Sequence, residues 1–136
     1  MLANARSLYP KIHSMYDYFN ELNLHFAAVS ETWFREGTLL EKLAVDMKEG
    51  EGLEIIYKNR NKTRDGQCVV GGGVAVVYNP RKIHLKPFRL KKTNHEIMAA
   101  VGNVPRIKRK LAIISVYLPP NMRANSARAA LKYLSL

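Results

Sequence analysis

The sequence has a single cysteine, Cys68, among its 136 residues. One cysteine can form neither an internal disulfide nor a cysteine-based zinc site, so both of these ways of stabilising a domain are excluded. No histidine or basic residue can be assigned as a partner of Cys68, which favours an ordinary thiol over a nucleophile. Stability therefore has to come from a hydrophobic core, and the chain is long enough for one such domain.

Long hydrophobic runs are also missing. No apolar run approaches the ~20 residues that a membrane-spanning helix needs. Residues 1–6 do not have the long apolar segment of a secretory signal. We therefore expect an intracellular protein without a membrane-spanning segment.

Acidic residues are scarce relative to basic ones. The chain has 22 Lys and Arg against 11 Asp and Glu, which gives a formal net charge of +11. This balance favours a polyanionic partner, either nucleic acid or an anionic membrane surface. Charge alone does not choose between them, and a solvated basic surface without a specific ligand also fits.

The first third of the chain predicts a helix, a buried strand and a second helix. Apolar residues recur every three or four positions over residues 10–22, from Ile12 to Leu22, as on one face of a helix. Residues 26–29 form a continuous apolar run, which is typical of a strand buried on both faces. Glu31 follows that run, and α/β proteins place ligand groups just past the carboxyl ends of such strands. Residues 38–48 predict a weaker helix.

The rest of the chain is rich in strand patterns. We predict strands at residues 53–57, 69–78, 83–90, 96–101 and 111–118, with residues 83–90 at a sheet edge guarded by lysines. Residues 58–67 read as a polar, basic loop, and residues 123–136 read as a helix. The three glycines at 71–73 lack the Gly-Lys-Ser/Thr that follows in a phosphate-binding P-loop, so they predict a turn or bulge. The order of elements indicates a mixed α/β protein with a largely antiparallel sheet.

Four short blocks occur in a fixed order along the chain. Taken singly, Asn4 reads as a turn residue, Glu31 as a surface or capping carboxylate, and Tyr117 as a core tyrosine. That interpretation changes when the four blocks are considered together. They are residues 4–8 (NARSL), 31–33 (ETW), 71–76 (GGGVAV) and 116–120 (VYLPP). Their succession resembles the endonuclease/exonuclease/phosphatase, or DNase-like, family. It is most similar to the endonuclease domains of non-LTR (LINE-like) retrotransposons, and it covers essentially the whole chain.

The resemblance implies a fold and a set of roles. The fold would be part of a DNase-like four-layer α/β sandwich, its first half, with a mainly antiparallel sheet and flanking helices. Glu31 matches the glutamate that binds catalytic Mg²⁺, with Mn²⁺ as a possible substitute. Asn4 matches the asparagine beside the metal and the scissile phosphate, and Tyr117 matches the tyrosine that contacts the phosphate. The implied reaction is in-line attack of water on a DNA phosphodiester, with no small-molecule cofactor.

The sequence also departs from the family pattern. Arg6 stands where abasic-site enzymes have an aspartate, and Pro120 replaces an asparagine common in those relatives. Glu96 lies where relatives often have an acidic residue. The family's later Gly-Asp-Phe-Asn-like and Ser-Asp-His-like blocks have no match after Tyr117, and all four histidines precede it. We therefore expect residues 1–136 to be a truncated domain that lacks its C-terminal half and is inactive, or nearly so, by itself.

The expected partner is DNA. Arg6 is one candidate phosphate contact, and the basic cluster in residues 58–64 supplies four more: Lys58, Arg60, Lys62 and Arg64. The alternative for that cluster is solvated loop charge. The resemblance further implies target-site nicking for retrotransposition, no membrane partner, and a nuclear location if the parent element is active. It also allows a reverse transcriptase in the same polyprotein. Two other functions stay open, a non-catalytic nucleic-acid-binding remnant and a phosphatase of the same superfamily.

Overall fold

The structure is a computed structural model of the chain. It describes residues 1–34, 52–60, 71–90, 96–104 and 109–119, together with positions 124, 125 and 128. The predicted helix at 38–48 and most of the predicted loop at 58–67 lie outside the described residues. Of the predicted helix at 123–136, the three described positions are helical. Among the described residues, no helix is long and apolar enough to cross a membrane.

Four strands form the first sheet. They are β1 (Leu2–Asn4), β2 (Phe26–Ser30), β3 (Glu54–Lys58) and β4 (Val74–Tyr78), and their order in the sheet is β1-β2-β4-β3. β1 runs parallel to β2, while β4 is antiparallel to both β2 and β3. All five residues of β4 are buried, which fits the continuous apolar sequence of a strand covered on both faces.

Three strands form the second sheet, in the order in which they occur in the chain. They are β5 (His84–Phe88), β6 (Glu96–Asn103) and β7 (Lys110–Tyr117), and all pairs are antiparallel. β5 lies at an edge, as predicted. The sequence predicted a largely antiparallel sheet, and the structure divides the strands between two sheets and adds one parallel pair. The mixed α/β class is confirmed.

One helix packs on the first sheet. A short 3-10 turn at Tyr9–Lys11 leads into α1 (Ile12–Glu21). The predicted stripe is buried at Ile12, Met15, Tyr16 and Phe19, but Leu22 is 58% exposed because α1 ends before it. The interpretation of Asn4 as a turn residue is also wrong. Asn4 is the last residue of β1, where it pairs with Ser30 of β2.

The core has two parts, one on each face of the first sheet. Ala27, Val29 and Val77 face α1, while the neighbouring positions Ala28 and Val76 face the second sheet. This alternation follows from the two-residue period of a strand. The described residues therefore form three layers: helix, first sheet and second sheet.

Candidate active site at the strand ends

Both sheets have strand termini at one end of the molecule, and candidate residues lie on them. β1 ends at Asn4, and β2 ends at Ser30, directly before Glu31. In the second sheet, Tyr117 ends β7 opposite Glu96, the first residue of β6. Residues far apart in the sequence therefore meet at one place, which we call the strand-end site.

Asn4 and Tyr117 both lie next to Glu31 in this site. Asn4 Nδ2 donates a hydrogen bond to Glu31 Oε1 at 3.1 Å, and Asn4 Oδ1 accepts one from the Arg6 backbone N–H at 3.2 Å. Tyr117, from the other sheet, lies beside the Glu31 carboxylate, and each of these two residues shifts the pKa of the other. The three residues that the family resemblance singles out thus lie together around the Glu31 carboxylate.

The electrostatic environment keeps Glu31 ionised. The Asn4 amide is the largest influence and lowers the pKa of Glu31 below its ordinary value of 4.5; partial burial opposes this, and Tyr117, Arg6 and Arg60 reinforce it. Burial and the nearby Glu31 carboxylate raise the pKa of Tyr117. At neutral pH the site therefore holds a carboxylate beside a protonated phenol.

The backbone around Glu31 has an unusual conformation. Of the five described non-glycine residues with positive φ angles, four lie here: Arg6 (43°), Ser7 (79°), Glu31 (55°) and Trp33 (54°). Such angles cost a non-glycine residue on the order of 1–3 kcal/mol and concentrate at functional sites. Backbone hydrogen bonds hold the segments together, from Ser7 N–H to Glu31 O and from Trp33 N–H to Gly72 O, both at 2.9 Å.

An ion pair between Arg60 and Glu96 lies beside the group formed by Asn4, Glu31 and Tyr117. Arg60 follows β3, and its Nε donates to Glu96 Oε1 at 2.5 Å. The Arg60 guanidinium carbon lies 5.6 Å from the centroid of the Tyr117 ring, within cation–π range. Lys58 is partly buried on the same side, and burial lowers its pKa while Glu96 opposes that effect.

Sequence reasoning found part of this site and missed part of it. Six of the predicted residues lie at or near the strand-end site: Asn4, Arg6, Glu31, Lys58, Arg60 and Tyr117. The other two, Lys62 and Arg64, fall outside the described residues. The pairing of Arg60 with Glu96 was missed. These two residues are 36 positions apart, and no local pattern joins them, although Glu96 had been noted as an acidic residue at a strand start.

The side chains present suit a hard divalent cation at Glu31. The Glu31 carboxylate is ionised and only partly covered. Mg²⁺ prefers oxygen ligands, usually takes one or two protein carboxylates, and keeps several waters. Within the described ranges no group of three His, Cys, Asp or Glu side chains is placed to hold a metal ion. A cation at Glu31 would therefore take one carboxylate from these residues.

Comparisons with known proteins identify the fold. No family model and no curated protein matches the sequence. Among solved structures, an AP endonuclease from Archaeoglobus fulgidus superposes with a TM-score of 0.58 at 14% identity, over 98% of this chain and 48% of its own. The AP endonuclease LMAP from Leishmania major gives 0.59 at 9% identity, over 98% and 44%. The 3′ phosphatase NExo from Neisseria, solved with a product DNA hairpin, gives 0.51 at 16% identity, over 85% and 39%.

These similarities define the class of fold. The chain has the DNase-like α/β fold of the exonuclease/phosphatase and AP endonuclease structures. It spans less than half the length of each of those three proteins. At such low identities the similarity concerns the fold, and function has to be argued from the site.

Proposed function

We propose that this chain carries the metal- and phosphate-binding part of a DNA endonuclease active site, of the type found in non-LTR retrotransposons. The observation that supports it best is the grouping of Asn4 and Tyr117 around Glu31, which three different strands bring together. The order of the four sequence blocks supports the retrotransposon type. Phosphodiester hydrolysis, DNA as substrate and Mg²⁺ as cofactor are all parts of this proposal.

Each residue has a defined task in the proposed reaction. Glu31 would hold the cation, and Asn4 fixes the orientation of the Glu31 carboxylate through its Nδ2 hydrogen bond. When bound, Mg²⁺ supplies positive charge that stabilises the phosphate and leaving oxygens of an in-line displacement. The protonated Tyr117 hydroxyl is a hydrogen-bond donor for a phosphate oxygen.

Replacing Glu31 tests the metal site directly. We expect Glu31→Gln to weaken Mn²⁺ binding at least about tenfold, because the amide removes the only negative charge offered to the metal by this group of residues. Mn²⁺ titration followed by electron paramagnetic resonance measures this affinity. Glu21→Gln is the matched control, since Glu21 is exposed at the end of α1. Equal Mn²⁺ affinities in the two variants would contradict the proposal.

Plasmid nicking tests whether the chain acts by itself. We expect the 136-residue chain to leave supercoiled plasmid intact with Mg²⁺, because no histidine follows Tyr117 to take the role of the family's general base. Nicking that disappears with EDTA and in Glu31→Ala would show that the chain is catalytic alone, and the expectation of inactivity would be wrong.

The net charge of +11 favours a second candidate, DNA binding without catalysis. In EDTA, we expect affinity for a labelled 12-base-pair duplex to fall about tenfold or more between 50 and 200 mM salt, through release of counterions from the phosphates. Fluorescence anisotropy measures this dependence. An affinity that hardly changes with salt would exclude electrostatic binding, and an affinity that depends on Glu31 and Mg²⁺ would favour the endonuclease proposal.

A further inference from the structure

Glu96 is a buried carboxylate whose two oxygens are both engaged. It is 7% exposed. Its Oε1 accepts a hydrogen bond from Arg60 Nε, and its Oε2 accepts one from the Gly73 backbone N–H, each at 2.5 Å. A buried carboxylate is costly unless it is paired and hydrogen-bonded. Glu96 therefore holds both Arg60 and the glycine segment in place. Glu96 belongs to the second sheet, whereas Arg60 follows β3 and Gly73 precedes β4, both strands of the first sheet.

The Arg60 guanidinium is fixed on three sides. Glu96 holds Nε, and the Tyr117 ring lies against the guanidinium carbon at 5.6 Å from the ring centroid. On the third side is Gly72, where an added Cβ would fall within 2.5 Å of three guanidinium atoms. A planar guanidinium has five N–H donors, so fixing Nε leaves the terminal nitrogens to face other acceptors.

The guanidinium also lies close to the Glu31 side of the site. It packs against the ring of Tyr117, and its positive charge acts to lower the pKa of both Tyr117 and Glu31. The Arg60 side chain is 23% exposed, so it is anchored yet reachable. The arrangement places an immobilised cation next to the carboxylate proposed to hold the metal. A phosphodiester is the anion that such a guanidinium recognises well, because the N–H fork matches two phosphate oxygens.

We propose that Arg60 contacts the scissile phosphodiester as a fixed cation and that Glu96 is the positioning residue that holds it there. This inference rests on the proposed function and adds to it. Arg60 therefore differs from a loop cation that touches the DNA backbone far from the reaction, because its guanidinium packs on the Tyr117 ring and its charge acts on Glu31. It also assigns Glu96 to Arg60 and not to the metal.

The test measures binding of one phosphodiester without metal. The probe is thymidylyl-(3′→5′)-thymidine, titrated in EDTA into the 136-residue chain and followed by NMR. We expect Arg60→Gln to weaken binding about tenfold, the loss that corresponds to one charge-assisted hydrogen bond. Arg81→Gln is the matched control, because it makes the same chemical change at an exposed arginine in the turn after β4, at the opposite end of that strand.

Glu96→Gln tests the positioning role. We expect it to weaken probe binding about threefold or more and to remove the downfield, slowly exchanging Arg60 Nε–H signal that the ion pair produces. Arg60→Lys should restore only part of the affinity, since an ammonium cannot bind Glu96 and phosphate through one planar fork. A purely structural pair would change the unfolding temperature of these variants without changing probe affinity.

The outcomes separate this inference from the metal proposal. Probe affinity in Arg60→Gln equal to that in Arg81→Gln would overturn the role of Arg60, as would absence of probe binding by the unmodified chain. Unchanged affinity in Glu96→Gln would overturn the positioning role. Mn²⁺ binding measured on the same variants should fail only in Glu31→Gln. If Glu31→Gln keeps Mn²⁺ while Arg60→Gln loses the probe, the metal proposal fails and the phosphate contact stands.

Discussion

At Gly72, the absence of a side chain decides where the Arg60 guanidinium can lie. Gly71, Gly72 and Gly73 all have positive φ angles, of 89°, 73° and 86°. In a residue that has a Cβ, this conformation brings a steric cost that glycine avoids. Only at Gly72, however, would a Cβ overlap the Arg60 guanidinium, whereas a Cβ on Gly71 would make ordinary contacts no shorter than 3.6 Å.

This difference makes two alanine substitutions a matched pair. Gly72→Ala and Gly71→Ala should share the cost of a positive φ angle. We expect Gly72→Ala to lose about 1–3 kcal/mol more free energy of unfolding, because displacing Arg60 leaves the buried Glu96 carboxylate without its ion pair. Urea unfolding measures both variants. If the two lose the same amount, Gly72 does not position Arg60.

The types of residue in the site were predictable, but their contacts were not. The block order identified Asn4, Glu31 and Tyr117, since those blocks carry their identity in a few adjacent letters. Arg60 read as one cation among several in a basic loop. Its ion pair with Glu96 depends on how β3 and β6 are placed relative to each other, and neighbouring residues carry no signal of that.

At the scale of one element, α1 follows its sequence closely. The apolar spacing from Ile12 to Phe19 sets which face is buried, because helix periodicity is a local property. Pro10 lies in the preceding 3-10 turn, and α1 itself begins at Ile12. The end at Glu21 leaves Leu22 exposed, which the periodic pattern did not indicate.

Neighbouring aromatic residues on α1 test this packing. Phe19 is 3% exposed and lies in the core against the first sheet, while Tyr18 is 48% exposed. We expect Phe19→Ala to lower the free energy of unfolding by about 3–5 kcal/mol through lost burial and a cavity. Tyr18→Ala should change it by less than about 0.5 kcal/mol. Guanidinium chloride unfolding measures both, and similar losses would contradict the packing of α1.

At the scale of the whole molecule, Tyr78 links the two sheets. Its hydroxyl, at the end of β4, hydrogen-bonds the Glu54 carboxylate of β3 and lies 3.3 Å from the carbonyl oxygen of Leu85 in β5. Burial is the largest cause that raises the pKa of Tyr78 in the folded chain, and Glu54 raises it further. The folded state therefore keeps this phenol protonated at pH values where the unfolded chain ionises it.

The sign of the resulting pH dependence follows from the raised pKa. The contribution of Tyr78 to stability is complete below the ordinary tyrosine pKa of 10.0 and is lost as pH rises above it towards the folded-state pKa. We expect Tyr78→Phe to lose about 1 kcal/mol at neutral pH and to have a flatter stability curve above pH 10 than the unmodified chain. Thermal unfolding across that range checks this, with the exposed Tyr18→Phe as control. Equal slopes in the two variants would contradict it.

The sequence by itself determined the local features of this protein: the period of α1, the buried character of β2 and β4, the edge position of β5 and the chemical identity of the candidate residues. Each of these depends on neighbours within a few positions. Only the tertiary structure decided the division into two sheets, the parallel pairing of β1 with β2, and the contact of Arg60 with Glu96 and Tyr117. These three features depend on which strands lie side by side. The strand arrangement is set by the need to bury both faces of the first sheet at once, and that need involves segments far apart in the sequence.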